Sequence, residues 1–254
     1  MKNNKYFFRL SYDGTKYHGW QFQPNAITVQ EIIEEQLQVL IGSKISVMGC
    51  GRTDTGVHAS DFYLHCEFEL KKYTADEFCY KLNRLLPNDI AISKIVPVNK
   101  DSHSRFDAIS REYRYYFHQQ KNPFIDKYSY LYVRDIDFKL MRRAGRLLLK
   151  HTDFTSFSKL HTDVNTNDCD VTVFEINELG EGKIEIIITA NRFLRNMVRS
   201  IVGTLLDVGI GKTSISAFND IIHSKNRSNA GASAPAKGLF LYKVKYPDGY
   251  FIGH

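Results

Sequence analysis

Apolar and polar residues alternate from Lys5 to Asp13, the period of a half-buried strand. The period then lengthens. Val29, Ile32, Ile33, Gln36, Leu37 and Leu40 recur at helical spacing and give one face. Thr28 precedes that run, Glu31 completes a T-x-x-E capping box, and Gly42 marks the end. An apolar run, Ile45 to Met48, leads into a glycine-bounded loop, and Asp61 to Phe68 reads as the next strand. A second helix opens at Thr74 with Glu77 three residues on. Its stripe is Phe78, Leu82, Leu85 and Leu86, and Pro87-Asn88-Asp89 stops it. Ile90 to Val98 is another strand. The order β-α-β-β-α-β is the split pattern of ferredoxin-like folds.

The second half repeats that order without repeating the sequence. Asp107 to Gln119 reads as a long strand, and Asp137 to Lys150 as a helix with apolar Phe138, Met141, Leu147, Leu148 and Leu149. Val171 to Leu179 and Lys183 to Ala190 form a hairpin around Gly180-Glu181-Gly182. Leu194 to Val208 is a helix ended by Gly209, Ser214 to His223 is an extra helix, and Gly238 to Tyr246 is a last strand. The pattern predicts an α/β (α+β) fold. It has two ferredoxin-like βαββαβ halves, 1–104 and 105–254, mainly antiparallel sheets and a central cleft. Any α+β chain of this length can be parsed into such units, so the pattern alone also admits a single mixed domain.

Composition narrows the class. Of the 254 residues 43% are hydrophobic, enough for a proper core. The first twenty residues lack the apolar segment of a secretory signal, and no apolar stretch is long enough to span a membrane. Cys50, Cys66, Cys79 and Cys169 form no C-x-x-C pair and match no zinc spacing, nor do the histidines show a ligand spacing. Reduced thiols of a cytoplasmic protein, with no metal and no membrane, are expected. The formal net charge of +6 favours a polyanionic partner such as nucleic acid.

Five stretches bear on the chemistry. Gly51-Arg52-Thr53-Asp54-Thr55-Gly56-Val57-His58-Ala59 places Asp54 in a loop between strands. Arg52, two residues before it, is placed to hold the carboxylate ionised. A plain turn stabilised by its own Asp side chain gives the same local pattern. In Arg111-Glu112-Tyr113-Arg114-Tyr115 the alternation puts Arg111, Tyr113 and Tyr115 on one strand face. That face suits phosphate and unpaired bases, or equally an aromatic core with snorkelling arginines. In Asn191 to Arg199 the residues Arg192, Arg195 and Arg199 recur at i, i+3 and i+7, either a phosphate-binding stripe or a solvated basic face. Gly231 to Leu239, rich in small residues, says only turn. Gly209-Ile210-Gly211-Lys212-Thr213 is close to a P-loop, but Leu206 stands where that motif needs glycine, so a helix C-cap is expected.

Gly51 to Ala59 resembles the catalytic-aspartate motif of the tRNA pseudouridine synthase A (TruA) family. The likeness extends to Tyr12-Asp13-Gly14-Thr15 with His18-Gly19-Trp20-Gln21, to Thr28-Val29-Gln30-Glu31, to Arg105 through Tyr115, and to the two C-terminal segments. Thr55 stands where alanine is more common, and Ser102-His103-Ser104 where Phe-His-Ala is frequent. The resemblance implies an isomerase that converts uridine to pseudouridine at positions 38 to 40 of the tRNA anticodon stem-loop. It implies Asp54 as catalytic nucleophile or base, with Arg199 as its cationic partner. It places Tyr113 in the uridine pocket, with Arg52 holding the target nucleotide out of its stack. It further implies a homodimer carrying tRNA across both subunits, and no cofactor. A non-catalytic RNA-binding protein and a nucleotide-dependent enzyme using Gly209 to Thr213 are the alternative classes. The first would usually carry RRM-type aromatic motifs, which are not found, and the second is weakened by Leu206.

Overall fold

In a computed structural model, residues 4–70, 72–159 and 166–251 are described. The fold is mixed α/β with mainly antiparallel strands. The chain divides into two compact units, Met1–Ile109 with Leu241–His254, and Ser110–Phe240. The expected division at 104/105 assigns the last strand wholly to the second half. In the structure the chain from Leu241 onward packs with the first unit instead.

The first unit contains β1 (Asn4–Tyr12), α1 (Val29–Ile41), β2 (Met48–Gly49), β3 (His58–Phe68), α2 (Ala75–Leu85) and β4 (Ile90–Val98). β1 is central. It pairs antiparallel with β3 on one side and β4 on the other, and the short β2 adds to β3. Alternation along β1 predicts one buried face, yet Phe7 and Phe8 are both fully buried. Phe8 packs on Phe68, on one side of the sheet. Phe7 meets Tyr246, Tyr250 and Phe251 at 5.7–5.9 Å between ring centroids, on the other. The returning C-terminal segment thus covers the second face of β1, and the burial of these rings is why it belongs to the first unit.

The helix caps form where the sequence places them. Thr74 and Glu77 exchange both bonds of a capping box. At Thr28 the Glu31 N–H donates to the threonine hydroxyl at 3.4 Å. The buried stripe of α1 is Val29, Ile33, Leu37 and Ile41, a strict i, i+4 series. That of α2 is Phe78 and Leu82, while Leu85 is 39% exposed at the helix end.

The second unit contains β5 (Ser110–His118), β6 (Tyr130–Leu131), α3 (Phe138–Gly145), β7 (Val171–Glu178), β8 (Lys183–Ala190), α4 (Met197–Gly209) and α5 (Ile215–Ser224). β9 (Leu239–Lys245) begins in it and ends in the first. β5 and β7 flank β8 antiparallel, and β6 runs parallel to the end of β5. Ile184, Ile186, Ile188 and Ala190 of β8 are buried. The β7–β8 turn holds Gly180 and Gly182 at φ 83° and 68°, conformations that glycine adopts without a Cβ penalty, with Glu181 between them at φ 52°.

Several expected boundaries move. β5 starts at Ser110, not Asp107. The helix expected over 137–150 ends at Gly145 and tightens into a 3-10 turn, Arg146–Lys150. Gly145 lies against the Phe174 ring, where a Cβ would sit 1.9 Å from a ring carbon. The helix expected from Leu194 starts at Met197, because Asn196 takes a left-handed conformation, φ 66°.

Candidate active site

The Asp54 loop is built against the loop that follows β1. Glycine makes this possible at two points. A Cβ on Gly14 would lie 2.0 Å from the Val57 carbonyl oxygen, and one on Gly19 would lie 2.3 Å from that of Thr53. Gly19 also has φ +90°. The backbones therefore touch, and they bond. The Trp20 N–H donates to the Thr53 carbonyl at 3.3 Å, and the Gly56 N–H to the Tyr17 carbonyl at 3.2 Å. The Tyr12 hydroxyl lies 2.9 Å from the Thr53 hydroxyl. Inside the loop the Val57 N–H donates to the Asp54 carbonyl at 3.1 Å, and Gly56 turns the chain at φ 76°. Thr53 is buried, Asp54 half-buried and Arg52 exposed. The carboxylate is thus carried on a short, fixed turn, not on a free loop tip.

Two details sharpen this. Arg52, two residues before the half-buried Asp54, is exposed to solvent. His58, at the start of β3, is buried, with Nδ1 3.0 Å from the Gly14 nitrogen and 3.1 Å from Asp13 Oδ1. One ring nitrogen cannot accept from the first and donate to the second. The backbone N–H is a fixed donor, so Nδ1 is the acceptor, and Asp13 Oδ1 takes the Thr15 N–H at 3.0 Å.

The second unit positions the other candidates. Tyr113 is half-buried on β5, opposite Ile188. Its ring meets Phe193 edge-on at 4.9 Å. Two residues earlier, an Arg111 guanidinium N–H donates to the Asn191 carbonyl at 2.8 Å. Tyr115 and Phe117, on the same face, are fully buried, and the Tyr115 hydroxyl donates to the Pro235 carbonyl at 2.9 Å. That face is therefore core at one end and half-open at Tyr113. The opposite face carries an ionic cluster instead. Arg114 bridges Glu112 and Glu185 at 2.8 and 2.9 Å, and the Tyr116 hydroxyl donates to Glu185 at 3.0 Å.

Arg199 lies in the first turn of α4 and is half-buried. Arg192 and Arg195 precede the helix, so the three arginines form no helical stripe. Asn196 breaks the geometry that the spacing implied. An Arg192 guanidinium N–H donates to the Thr166 carbonyl at 3.2 Å, and the Arg195 carbonyl accepts the Lys159 N–H at 3.0 Å. The small-residue loop packs directly on α4. A Cβ on Gly203 would lie 1.7 Å from the Ala232 carbonyl oxygen. The Asn196 amide donates to the Ser233 hydroxyl at 2.7 Å. Composition alone gave this loop no role. Its run of small residues was the signal, since only small residues permit such an approach.

Gly209 to Thr213 is no phosphate cradle. The N–H groups of Lys212 and Thr213 both donate to the Asp207 carbonyl, at 2.9 and 3.1 Å. The Lys212 ammonium pairs with the Asp207 carboxylate at 3.0 Å. The segment closes the C-terminus of α4. Among the described residues no cluster of His, Cys, Asp or Glu could hold a metal ion, and no helix is long and apolar enough to cross a membrane.

The likeness to known proteins covers both units. A family model described as tRNA pseudouridine synthase matches residues 10–107 and 146–247. The tRNA pseudouridine synthase A of Porphyromonas gingivalis is 49% identical over 253 residues, 98% of this chain and 99% of that protein. That of Bacteroides fragilis is 48% identical over 251 residues, 99% of this chain and 100% of that protein. That of Bacillus subtilis is 40% identical over 243 residues, 93% of this chain and 97% of that protein. The matched segments contain both the Asp54 loop and the Arg199 helix. On that correspondence the chain belongs to the tRNA pseudouridine synthase family.

Proposed function

We propose that this protein isomerises uridine to pseudouridine in tRNA, in the anticodon stem-loop, with Asp54 as the catalytic carboxylate. The observation that carries the reading is the Asp54 loop. A half-buried carboxylate stands on a turn tied by backbone bonds to its neighbour, inside a chain matched end to end by tRNA pseudouridine synthases A. The chemistry suits a carboxylate. The C1′–N1 bond of uridine breaks, the base turns, and C5 bonds to C1′. A carboxylate can act as nucleophile or take a proton. Nothing is oxidised or reduced and no group is imported, so the reaction itself calls for no cofactor.

The remaining roles follow the resemblance. Arg199 is the cationic partner of the carboxylate, Tyr113 stacks on the uracil ring, and Arg52 helps hold the nucleotide out of its stack. The protein acts as a homodimer in the cytoplasm, with tRNA across both subunits.

The test is Asp54→Asn, which keeps the shape and removes the charge and the nucleophile. Single-turnover pseudouridine formation on unmodified tRNA should fall to undetectable levels. Filter binding should persist, because tRNA affinity rests on many phosphate contacts. The thermal midpoint should change little. Substantial turnover by the Asn variant would overturn the assignment.

A further inference from the structure

We propose that Tyr17, gripped by Asp89, is a positioning residue for the Asp54 loop. This rests on the reading of Asp54 as the catalytic carboxylate. Neither Tyr17 nor Asp89 belongs to the Asp54 motif, and neither has a role in the reaction as described so far.

Tyr17 is 5% exposed and uses both its ends. Its hydroxyl donates to Asp89 Oδ1 at 2.5 Å. Burial, and then the Asp89 carboxylate, push the phenol above its ordinary value, so the hydroxyl keeps its proton and is the donor. Its backbone carbonyl accepts the Gly56 N–H at 3.2 Å. Gly56 is two residues from Asp54, in the turn closed by the Val57 N–H on the Asp54 carbonyl.

Asp89 grips the supporting loop more than once. It sits between α2 and β4, where Pro87-Asn88-Asp89 ends the helix. Its carbonyl accepts the Asp13 N–H at 2.9 Å, and its Oδ2 lies 3.2 Å from the Lys16 ammonium. One aspartate thus holds residues 13, 16 and 17, and the backbone of residue 17 holds the turn that carries Asp54. The path from the Asp89 carboxylate to Asp54 runs through hydrogen bonds, the Tyr17 side chain and main chain. Its links are rigid, since both ends of Tyr17 are bonded and its ring is buried. A carboxylate that must meet one atom of a nucleotide needs such support. A displacement of about 1 Å can cost on the order of 10² in rate.

The experiment compares Tyr17→Phe, Asp89→Ala and Asp89→Asn with the wild type. Three readouts are used: single-turnover pseudouridine formation, tRNA dissociation constants, and hydrogen exchange at the Gly56 amide. Tyr17→Phe and Asp89→Ala should slow turnover by about 10- to 100-fold, with tRNA affinity unchanged. Asp89→Asn still offers an amide oxygen to the Tyr17 hydroxyl and should restore most of the rate. Exchange at Gly56 should quicken in Tyr17→Phe. Wild-type turnover in Tyr17→Phe, equal losses in the two Asp89 variants, or unchanged exchange at Gly56 would each overturn the proposal. If Tyr17→Phe does not fold, the two Asp89 variants decide by the same criterion. If the wild-type chain forms no pseudouridine, the reading of its activity fails instead, and Gly56 exchange alone decides the positioning.

Discussion

Arg199 and Ala234 are bonded twice. The Arg199 Nε–H donates to the Ala234 carbonyl at 2.7 Å, and the Ala234 N–H donates to the Arg199 carbonyl at 2.9 Å. The guanidinium is therefore aimed by a loop more than thirty residues away in sequence. That loop sits where it does because Gly203, one turn along α4, leaves room for it.

Gly203→Ala tests this arrangement. Alanine in a helix interior is normally better than glycine by about 1 kcal/mol. Here its Cβ would meet the Ala232 carbonyl oxygen at 1.7 Å, so backbone must move. Overpacking of this kind costs about 1–3 kcal/mol. The clash should win. A lower thermal midpoint and slower pseudouridine formation are expected, and a more stable variant would show that the loop does not dock on α4.

Gly19→Ala and Gly42→Ala form a matched pair. Both glycines have positive φ, +90° and +81°. A Cβ at Gly42 meets nothing within 4 Å, whereas one at Gly19 meets the Thr53 carbonyl oxygen at 2.3 Å. Gly42→Ala should lose about 1–2 kcal/mol of stability from backbone strain alone and keep its turnover. Gly19→Ala should lose more stability and most of its turnover, because it pushes the chain next to Asp54. Equal turnover in both variants would argue against the contact. Thermal melts and single-turnover rates measure the two effects.

Tyr113→Phe keeps the edge-on contact with Phe193 and removes the hydroxyl. If the hydroxyl takes part in proton transfer at C5, turnover should fall by about 10²–10⁴-fold. That fall is expected. Full activity in Tyr113→Ala would make Tyr113 a packing residue only.

His65 gives the first unit a pH dependence. Burial, then His103 and Lys5, lower its pKa from 6.5 to about 4. Its Nδ1 accepts the Ser104 N–H at 3.2 Å, leaving the Ser104 hydroxyl to the Met48 carbonyl at 2.8 Å. Glu67 and Asp107 also face it and oppose the shift in part. The sign follows from linkage. The unfolded chain binds a proton near pH 6.5 that the folded chain refuses until about pH 4. This contribution is fully present above pH 6.5 and is lost as the pH falls toward 4. The thermal midpoint of the wild type should drop across that window, and less steeply in His65→Asn. Equal slopes in the two proteins would remove His65 as the cause.

Local patterns were legible in the sequence because local interactions make them. The capping box at Thr74, the stripes of α1 and α2, and the glycine turn between β7 and β8 depend on residues within one or two turns of each other. Gly51 to Ala59 stood out by its resemblance to a family motif, since its local chemistry also fits a plain turn. What the sequence could not settle depended on segments distant along the chain. Alternation in β1 predicts one buried face, and the returning rings of Tyr246, Tyr250 and Phe251 bury the other. Spacing placed three arginines on a helix, and Asn196 at φ 66° leaves two of them outside it while its side chain reaches Ser233. Spacing set Arg52 near Asp54 but gave no sign that Gly14, Tyr17 and Gly19 hold the turn that carries it. Periodicity reports which side of an element is apolar. It cannot report how closely two backbones approach, because close approach belongs to both partners and is decided only when they meet.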